Sequence, residues 1–194
     1  MSNRSMLVAA LALLLPAVAS AQTAGSDGRP AALFFANGGG YSPLSDLNSS
    51  TSLNTGWTLG GGAGIQVNPQ VAVRATFDYA QDKGDVNSTS FAGEKIGRYF
   101  YTADMQLRYP TAGNLAPYIL AGAGLASVHP DTPTFGDRTK FAGKGGIGLE
   151  YNKPSGLGLF VQGVSYIYKF NQGGFDKTQA DLLWDAGLSY RYHI

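Results

Sequence analysis

Two histidines, thirteen carboxylates and no cysteine are the stock from which a catalytic or metal site could be drawn in this 194-residue chain. Without cysteine, disulfide frameworks, CxxC redox chemistry and thiolate zinc sites are excluded. His129 is followed by Pro130 and Asp131, and His193 stands far from it near the end of the sequence. No Ser-His-carboxylate arrangement emerges from these positions. Asp82 and Asp85 flank Lys83, and Asp131 and Asp137 lack the spacing of a calcium loop. Gly143-Lys144-Gly145-Gly146-Ile147-Gly148 satisfies G-x-G-x-x-G. A dinucleotide fingerprint needs that run at a strand-to-helix turn, whereas here it lies inside an alternating segment with no helical pattern after it. No catalytic residue, cofactor or metal is therefore expected. A net charge of +1 supplies no bulk electrostatic reason to bind nucleic acid.

The polar residues that remain are ordered by a period of two. Trp57, Leu59, Gly61, Ala63, Ile65 and Val67 alternate with Thr58, Gly60, Gly62, Gly64 and Gln66. Val71 to Tyr79 repeats the pattern with Arg74, Thr76 and Asp78 between the apolar positions, and Tyr99 to Tyr109 does so with Thr102, Asp104, Gln106 and Arg108. Phe141 to Tyr151 carries Lys144 and Glu150 on its second face, and Leu182 to Tyr192 carries Asp181, Asp185, Ser189 and Arg191. Strict alternation puts the two sets on opposite faces of a strand. On these five runs one face has neither charge nor amide; the other is small or polar, with Phe100 and Leu183 as its large exceptions. Ala32 to Tyr41, Pro117 to Ser127 and Leu157 to Lys169 are also strand-like, but their faces cannot be told apart. The expected total is eight strands.

The first residues read differently. Arg4 precedes an uncharged Leu/Ala-rich run from Met6 to Val18, and Ala19-Ser20-Ala21 is a small-x-small cleavage site. That is the layout of a secretory signal. The run is short of the roughly 20 apolar residues of a spanning helix. Residues 1–21 are thus expected to be a cleaved signal peptide and 22–194 the mature domain, with 13 basic and 13 acidic side chains.

Connections alternate in length. The short ones are 68–70, 110–115 and 152–156; the long ones are 42–55, 81–97, 129–138 and 171–178. An even number of antiparallel strands of about ten residues, with short turns at one end and long loops at the other, is the plan of a bacterial outer-membrane barrel. A soluble barrel would show the same alternation with the apolar face inward. Aromatics decide against that arrangement. Trp57, Phe77, Tyr79, Tyr99, Tyr101 and Phe141 sit on the apolar face near the long loops, and Tyr109, Tyr151, Tyr190 and Tyr192 near the short turns. Two aromatic girdles around an Ala, Gly, Val, Leu and Met middle describe a lipid-facing belt. The polar face must then be interior. Arg74, Arg108, Lys144 and Arg191 are expected to pair there with Asp78, Asp104, Glu150, Asp181 and Asp185, because buried charges persist only when paired. Pairing of Ala80 with Arg98 would set Arg74 opposite Asp104. Gly60, Gly62, Gly146 and Gly148 would make room for the long side chains.

The terminal run Asp185-Ala186-Gly187-Leu188-Ser189-Tyr190-Arg191-Tyr192 reads polar-x-Gly-x-x-hydrophobic-x-aromatic, and Ala116-Pro117-Tyr118 opens a Gly/Ala-rich strand. On these motifs, residues 30–194 resemble the small OmpA/OmpX-like outer-membrane barrels. The resemblance implies an all-β, eight-stranded antiparallel up-and-down transmembrane barrel. It also implies an assembly signal for the barrel-assembly machinery at Asp185, Gly187, Tyr190 and Tyr192, although His193 and Ile194 follow where the family usually stops. Related barrels that deacylate lipopolysaccharide use a His with a Ser two residues on, and His129 has no such Ser. No peptidoglycan-binding domain follows in these residues, so no cell-wall tether is expected.

The long loops are polar and mixed in charge, with Leu47, Leu53, Phe91, Phe135 and Phe175 as candidate contacts. Binding usually resides in such loops on a rigid scaffold. The expectation is a monomeric, non-enzymatic protein of the bacterial outer membrane, in contact with its lipid and lipopolysaccharide. Its role would be structural or adhesive, through four long loops that meet a surface ligand. Transport of small solutes through a narrow pore or hydrophobic route is the alternative.

Overall fold

In the computed structural model the described residues are 30–44, 55–83, 95–109, 111, 114–130, 138–172 and 175–193. The expected signal peptide and the candidate contacts Leu47, Leu53, Phe91 and Phe135 lie outside them. Eight strands close into one antiparallel barrel in sequence order. They are β1 (Ala31–Pro43), β2 (Gly56–Asn68), β3 (Val71–Lys83), β4 (Lys95–Arg108), β5 (Leu115–Pro130), β6 (Arg138–Asn152), β7 (Leu157–Gln172) and β8 (Phe175–His193). β8 seals the cylinder against β1, with Ala31 opposite His193 and Pro43 opposite Asp181.

The turns at one end are built from their own chemistry. Asn68 Oδ1 accepts from the backbone N–H groups of Gln70 and Val71 at 2.9 and 2.8 Å, which reverses the chain in front of β3. Gly156 has φ of 85°, a left-handed conformation that favours glycine. Its N–H donates to the Lys153 carbonyl at 3.0 Å, and its own carbonyl accepts from Arg191 N–H at 2.9 Å. That ties the β6–β7 turn to β8.

The other end departs from the expectation of four long loops. β7 and β8 remain paired out to Gln172 opposite Phe175, so only residues 173–174 connect them. Gly173-Gly174 is a two-residue hairpin signal lying inside the segment read as a loop. The longer connections are 44–55, 84–94 and 131–137. His129 is likewise a strand residue, half-buried in β5, with its ring 5.0 Å from that of Tyr99.

The register fixes the size of the cylinder. A row of paired residues starting at Ile119 passes Ile147, Gly163, Trp184, Gly40, Trp57, Gln81 and Gly97 and returns to β5 at His129, ten residues further on. A ten-residue offset over eight strands implies a tilt of about 41° and a backbone radius of about 8 Å, narrow enough for side chains to fill the lumen.

The strands whose faces could not be read now have them. β1 turns Leu33, Phe35, Asn37 and Tyr41 inward and Phe34 outward; β5 turns Tyr118 and Leu120 inward and Ile119 and Leu125 outward. β7 turns Phe160, Gln162, Val164, Tyr166 and Tyr168 inward and Leu159, Val161 and Ile167 outward. Large apolar residues occupy both faces of these strands, so polarity could not separate them.

Candidate functional site

The chemistry of the molecule is concentrated in the lumen. Five cations and six carboxylates are buried there among the described residues, together with Tyr41, Phe100, Tyr166 and Leu183, which are fully buried. The lumen charges group into three tiers. At the end with the short turns, Glu150 receives Arg108 at 3.2 Å and Arg191 at 2.6 Å, and also Ser189 Oγ at 2.5 Å. Gln66 Oε1 accepts from both guanidiniums, at 2.6 Å from Arg191 and 3.3 Å from Arg108, and Asn152 takes a further Arg191 N–H.

In the middle tier Asp104 Oδ2 accepts from Lys144 Nζ at 2.8 Å, Thr76 Oγ1 at 2.6 Å and Arg74 at 3.3 Å. Arg74 and Asp104 are direct cross-strand partners, and Ala80 pairs with Arg98. Lys144 also lies 3.6 Å from Asp78. Asp78 accepts from Asn37 at 3.2 Å and from the Tyr166 hydroxyl. Phe100 stacks on Tyr166 at 4.0 Å, and Arg74 lies over the Phe35 ring at 4.8 Å. The third tier, below the long loops, holds Arg98 between Asp82 and Asp181, with Tyr168 and Gln179 also donating to Asp181 at 2.8 and 3.3 Å.

Of the nine residues expected in the interior, the structure buries all: Arg74, Asp78, Asp104, Arg108, Lys144, Glu150, Asp181, Asp185 and Arg191. Eight take part in ion pairs. Asp185 takes part in none among the described residues; its Oδ2 accepts from Gln162 Nε2 at 3.5 Å. The charges form three stacked groups rather than one connected network. Sequence reasoning missed Asp82, which falls in the stretch 81–97 read as a loop, and Arg98, which stands just ahead of the run read from Tyr99, yet each continues the period-two face of its strand. It also missed the hydroxyls of Tyr166 and Tyr168, which stand on a strand whose faces were unassigned. Of the four glycines expected to make room, Gly60 does so for Asp78, Gly62 for Phe35 and Gly148 for Tyr118, since a Cβ at each would collide with those side chains. Gly146 instead packs against β7 at Gly163 and Val164.

The outer wall is apolar. Trp57, Leu59, Ile65, Val73, Ile147, Val161, Trp184 and Leu188 all point away from the lumen. The upper aromatics touch in series, Trp57 to Tyr79 at 5.3 Å and Tyr79 to Tyr99 at 4.9 Å. Tyr109, Tyr151, Tyr190 and Tyr192 stand outward at the opposite end. Of the expected assembly signal, Asp185 faces inward, Gly187 lets Phe160 pack against β8, and Tyr190 and Tyr192 face outward. Among the described residues no cluster of three His or carboxylates is placed to hold a metal ion.

A family model for the outer membrane protein beta-barrel domain matches residues 7–192. No curated protein matches the sequence. Neisserial surface protein A superposes with a TM-score of 0.61 at 15% identity, covering 84% of this chain and 97% of that one. The N-terminal β-barrel domain of OprF from Pseudomonas aeruginosa superposes at 0.53, with 16% identity over 86% of this chain and 100% of that one. Ail, the attachment invasion locus protein of Yersinia pestis, in complex with the heparin analogue sucrose octasulfate, gives 0.50 and 16% identity over 86% and 100%. At these identities the likeness is one of fold.

Proposed function

Because the chain belongs to the outer membrane protein beta-barrel domain family and lies in the bacterial outer membrane, we propose that it is a non-catalytic, plugged barrel whose extracellular edge makes surface contacts. The observation that carries this reading is the filled lumen. Three tiers of cross-barrel pairs occupy its length, and the enclosed space among Arg74, Tyr118, Phe160 and Arg191 is only about 10 Å³. That is about one water molecule, not a conduit. The extracellular edge consists of segments 44–55, 84–94 and 131–137 together with the β7–β8 hairpin. Residues 1–21 serve as the cleaved export signal, and the terminal strand carries the signal read by the barrel-assembly machinery. The barrel acts as a monomer in contact with outer-membrane lipid and lipopolysaccharide.

Segments 44–55, 84–94 and 131–137 contain Asp46, Asp85, Glu94, Asp131 and Asp137 but no Lys or Arg, and they are rich in Ser, Thr and Asn. With Lys83, Lys95 and Arg138 at the bases of these segments and Lys169, Asp176 and Lys177 on β7–β8, the edge as a whole is mixed in charge. The test is twofold. Single-channel recording in planar bilayers is expected to show no reproducible open steps, and their appearance would transfer the function to transport. Cells displaying the protein should bind host-surface or abiotic targets more than cells displaying a variant with segments 44–55 and 84–94 shortened, and equal binding would reject the adhesive role.

A further inference from the structure

The tiers are unequal in charge, and the inequality has a location. The upper tier sets Arg98 between two carboxylates and the middle tier matches Arg74 and Lys144 with Asp78 and Asp104, whereas the tier at the short-turn end sets two guanidiniums on the single carboxylate of Glu150. Beside that tier lies a cavity of about 330 Å³ opening to the periplasmic mouth. Arg108, Arg191, Lys153 and His193 line it, with the amides of Asn114 and Asn152, and no carboxylate is among its described lining residues.

The two arginines are not equivalent. Arg191 is held at 2.6 Å by both Gln66 and Glu150 and also by Asn152. Arg108 makes only long contacts, 3.2 Å to Glu150 and 3.3 Å to both Gln66 and the Pro69 carbonyl. It is 9% exposed, and its buried Nε has no acceptor. A buried guanidinium with donors unmet is unfavourable unless something supplies oxygens and negative charge. The planar fork of Arg matches the oxygens of a phosphate, and Lys153 at the rim adds a point charge. The cavity is large enough for such an oxyanion with several waters, each taking about 30 Å³. It opens at the same end as Tyr109, Tyr151, Tyr190 and Tyr192, where aromatic residues mark headgroup depth.

We propose that the periplasmic mouth is a binding site for a phosphate group, received by Arg108 and Lys153, and carried either by free inorganic phosphate or by a phospholipid headgroup. The test uses the full mature chain refolded in a phosphate-free maltoside detergent. Inorganic phosphate is titrated by calorimetry at constant ionic strength. In parallel, lipid retention is read by native mass spectrometry after exposure to phosphatidylglycerol or to diacylglycerol of the same chain length. If the source is the free ion, phosphate binds saturably, with affinity at least tenfold weaker in Arg108→Gln and several-fold weaker in Lys153→Gln. If the source is a headgroup, phosphate alone does not bind, but phosphatidylglycerol is retained in preference to diacylglycerol, and both substitutions erase that preference. Arg108→Gln is first checked for the heat-dependent gel shift of a folded barrel. Should it not fold, Lys153→Glu, which reverses an exposed charge outside the ion-pair tiers, decides alone. Absence of binding to both probes, or binding unchanged in the folded variants, overturns the proposal.

Discussion

Asp104→Asn is the most direct test of a dry, paired lumen. The carboxylate receives three donors on Oδ2, from Lys144, Thr76 and Arg74. The amide keeps its shape and the Thr76 contact but removes the negative charge. Lys144 then retains Asp78 at 3.6 Å, while Arg74 is left with the face of Phe35 as its partner. Breaking a buried pair by removing one member costs about 3–5 kcal/mol. The surviving Lys144–Asp78 contact offsets part of that, so the expected loss is at the lower end, about 3 kcal/mol, or roughly 150-fold in the folding equilibrium. Arg74→Met should cost less, about 1–2 kcal/mol, because Asp104 keeps Lys144 and Thr76. The double variant should lose less than the sum of the singles, since Arg74 is no longer left stranded. The assay is reversible urea unfolding in lipid vesicles followed by the fluorescence of Trp57 and Trp184, the two tryptophans of the chain. An Asp104→Asn variant within about 0.5 kcal/mol of the parent, or strict additivity of the two changes, would mean that water screens these charges and that the lumen is wet.

Three further outcomes are expected. Ile147→Arg, placing a charge on the lipid-facing wall, should destabilise the barrel in vesicles by about 2–4 kcal/mol, while Lys169→Gln at the exposed extracellular end of β7 should be neutral within about 0.5 kcal/mol; equal effects would contradict the assigned faces. Gly60→Ala should prevent a stable heat-shifted form on gels, because its Cβ would collide with Asp78, whereas Gly163→Ala should be silent, because nothing lies within 4 Å of a Cβ there. Tyr190→Ala with Tyr192→Ala should lower the amount of assembled barrel in cells more than it lowers vesicle stability, as measured by comparing outer-membrane fractions with in vitro unfolding; parallel losses would make these residues structural only.

How much of this was legible in the sequence depended on contrast between the two faces of each strand. On β3 the inward Arg74, Thr76 and Asp78 alternate with Val73, Ala75, Phe77 and Tyr79, so pattern, face and partner followed together, down to Arg74 opposite Asp104. On β7 the inward Phe160, Val164, Tyr166 and Tyr168 are as bulky as the outward Leu159, Val161 and Ile167. The lumen accepts aromatics wherever a facing glycine leaves space, as Gly148 does for Tyr118 and Gly62 for Phe35. A rule that the inside is polar therefore fails on the strands that supply the bulk. The hairpin was hidden for another reason. Residues 171–178 are polar, and polarity was read as a loop, although a paired ladder above the membrane is solvated on its outer side and needs no apolar face.

That hairpin also differs from the aromatic wall in what it turns outward. Contacts from Trp57 through Tyr79 and Tyr99 to His129 run across β2 to β5. Beyond the Ile167–Ala180 pair the outward residues of β7 and β8 are the exposed Lys169 and Thr178, which face each other in register. Ile167 is the last outward apolar residue of β7, and pairing continues five residues beyond it to Gln172, about 16 Å along the strand. The ladder runs past this level on both walls, four residues beyond Tyr79 to Lys83 opposite Lys95 and five beyond Ile167 to Gln172 opposite Phe175. A ribbon held by continuous ladder bonds loses less freedom on meeting a partner than an open loop of equal length. The outward face of β7–β8 past Ile167 thus offers Lys169 and Thr178 rather than grease.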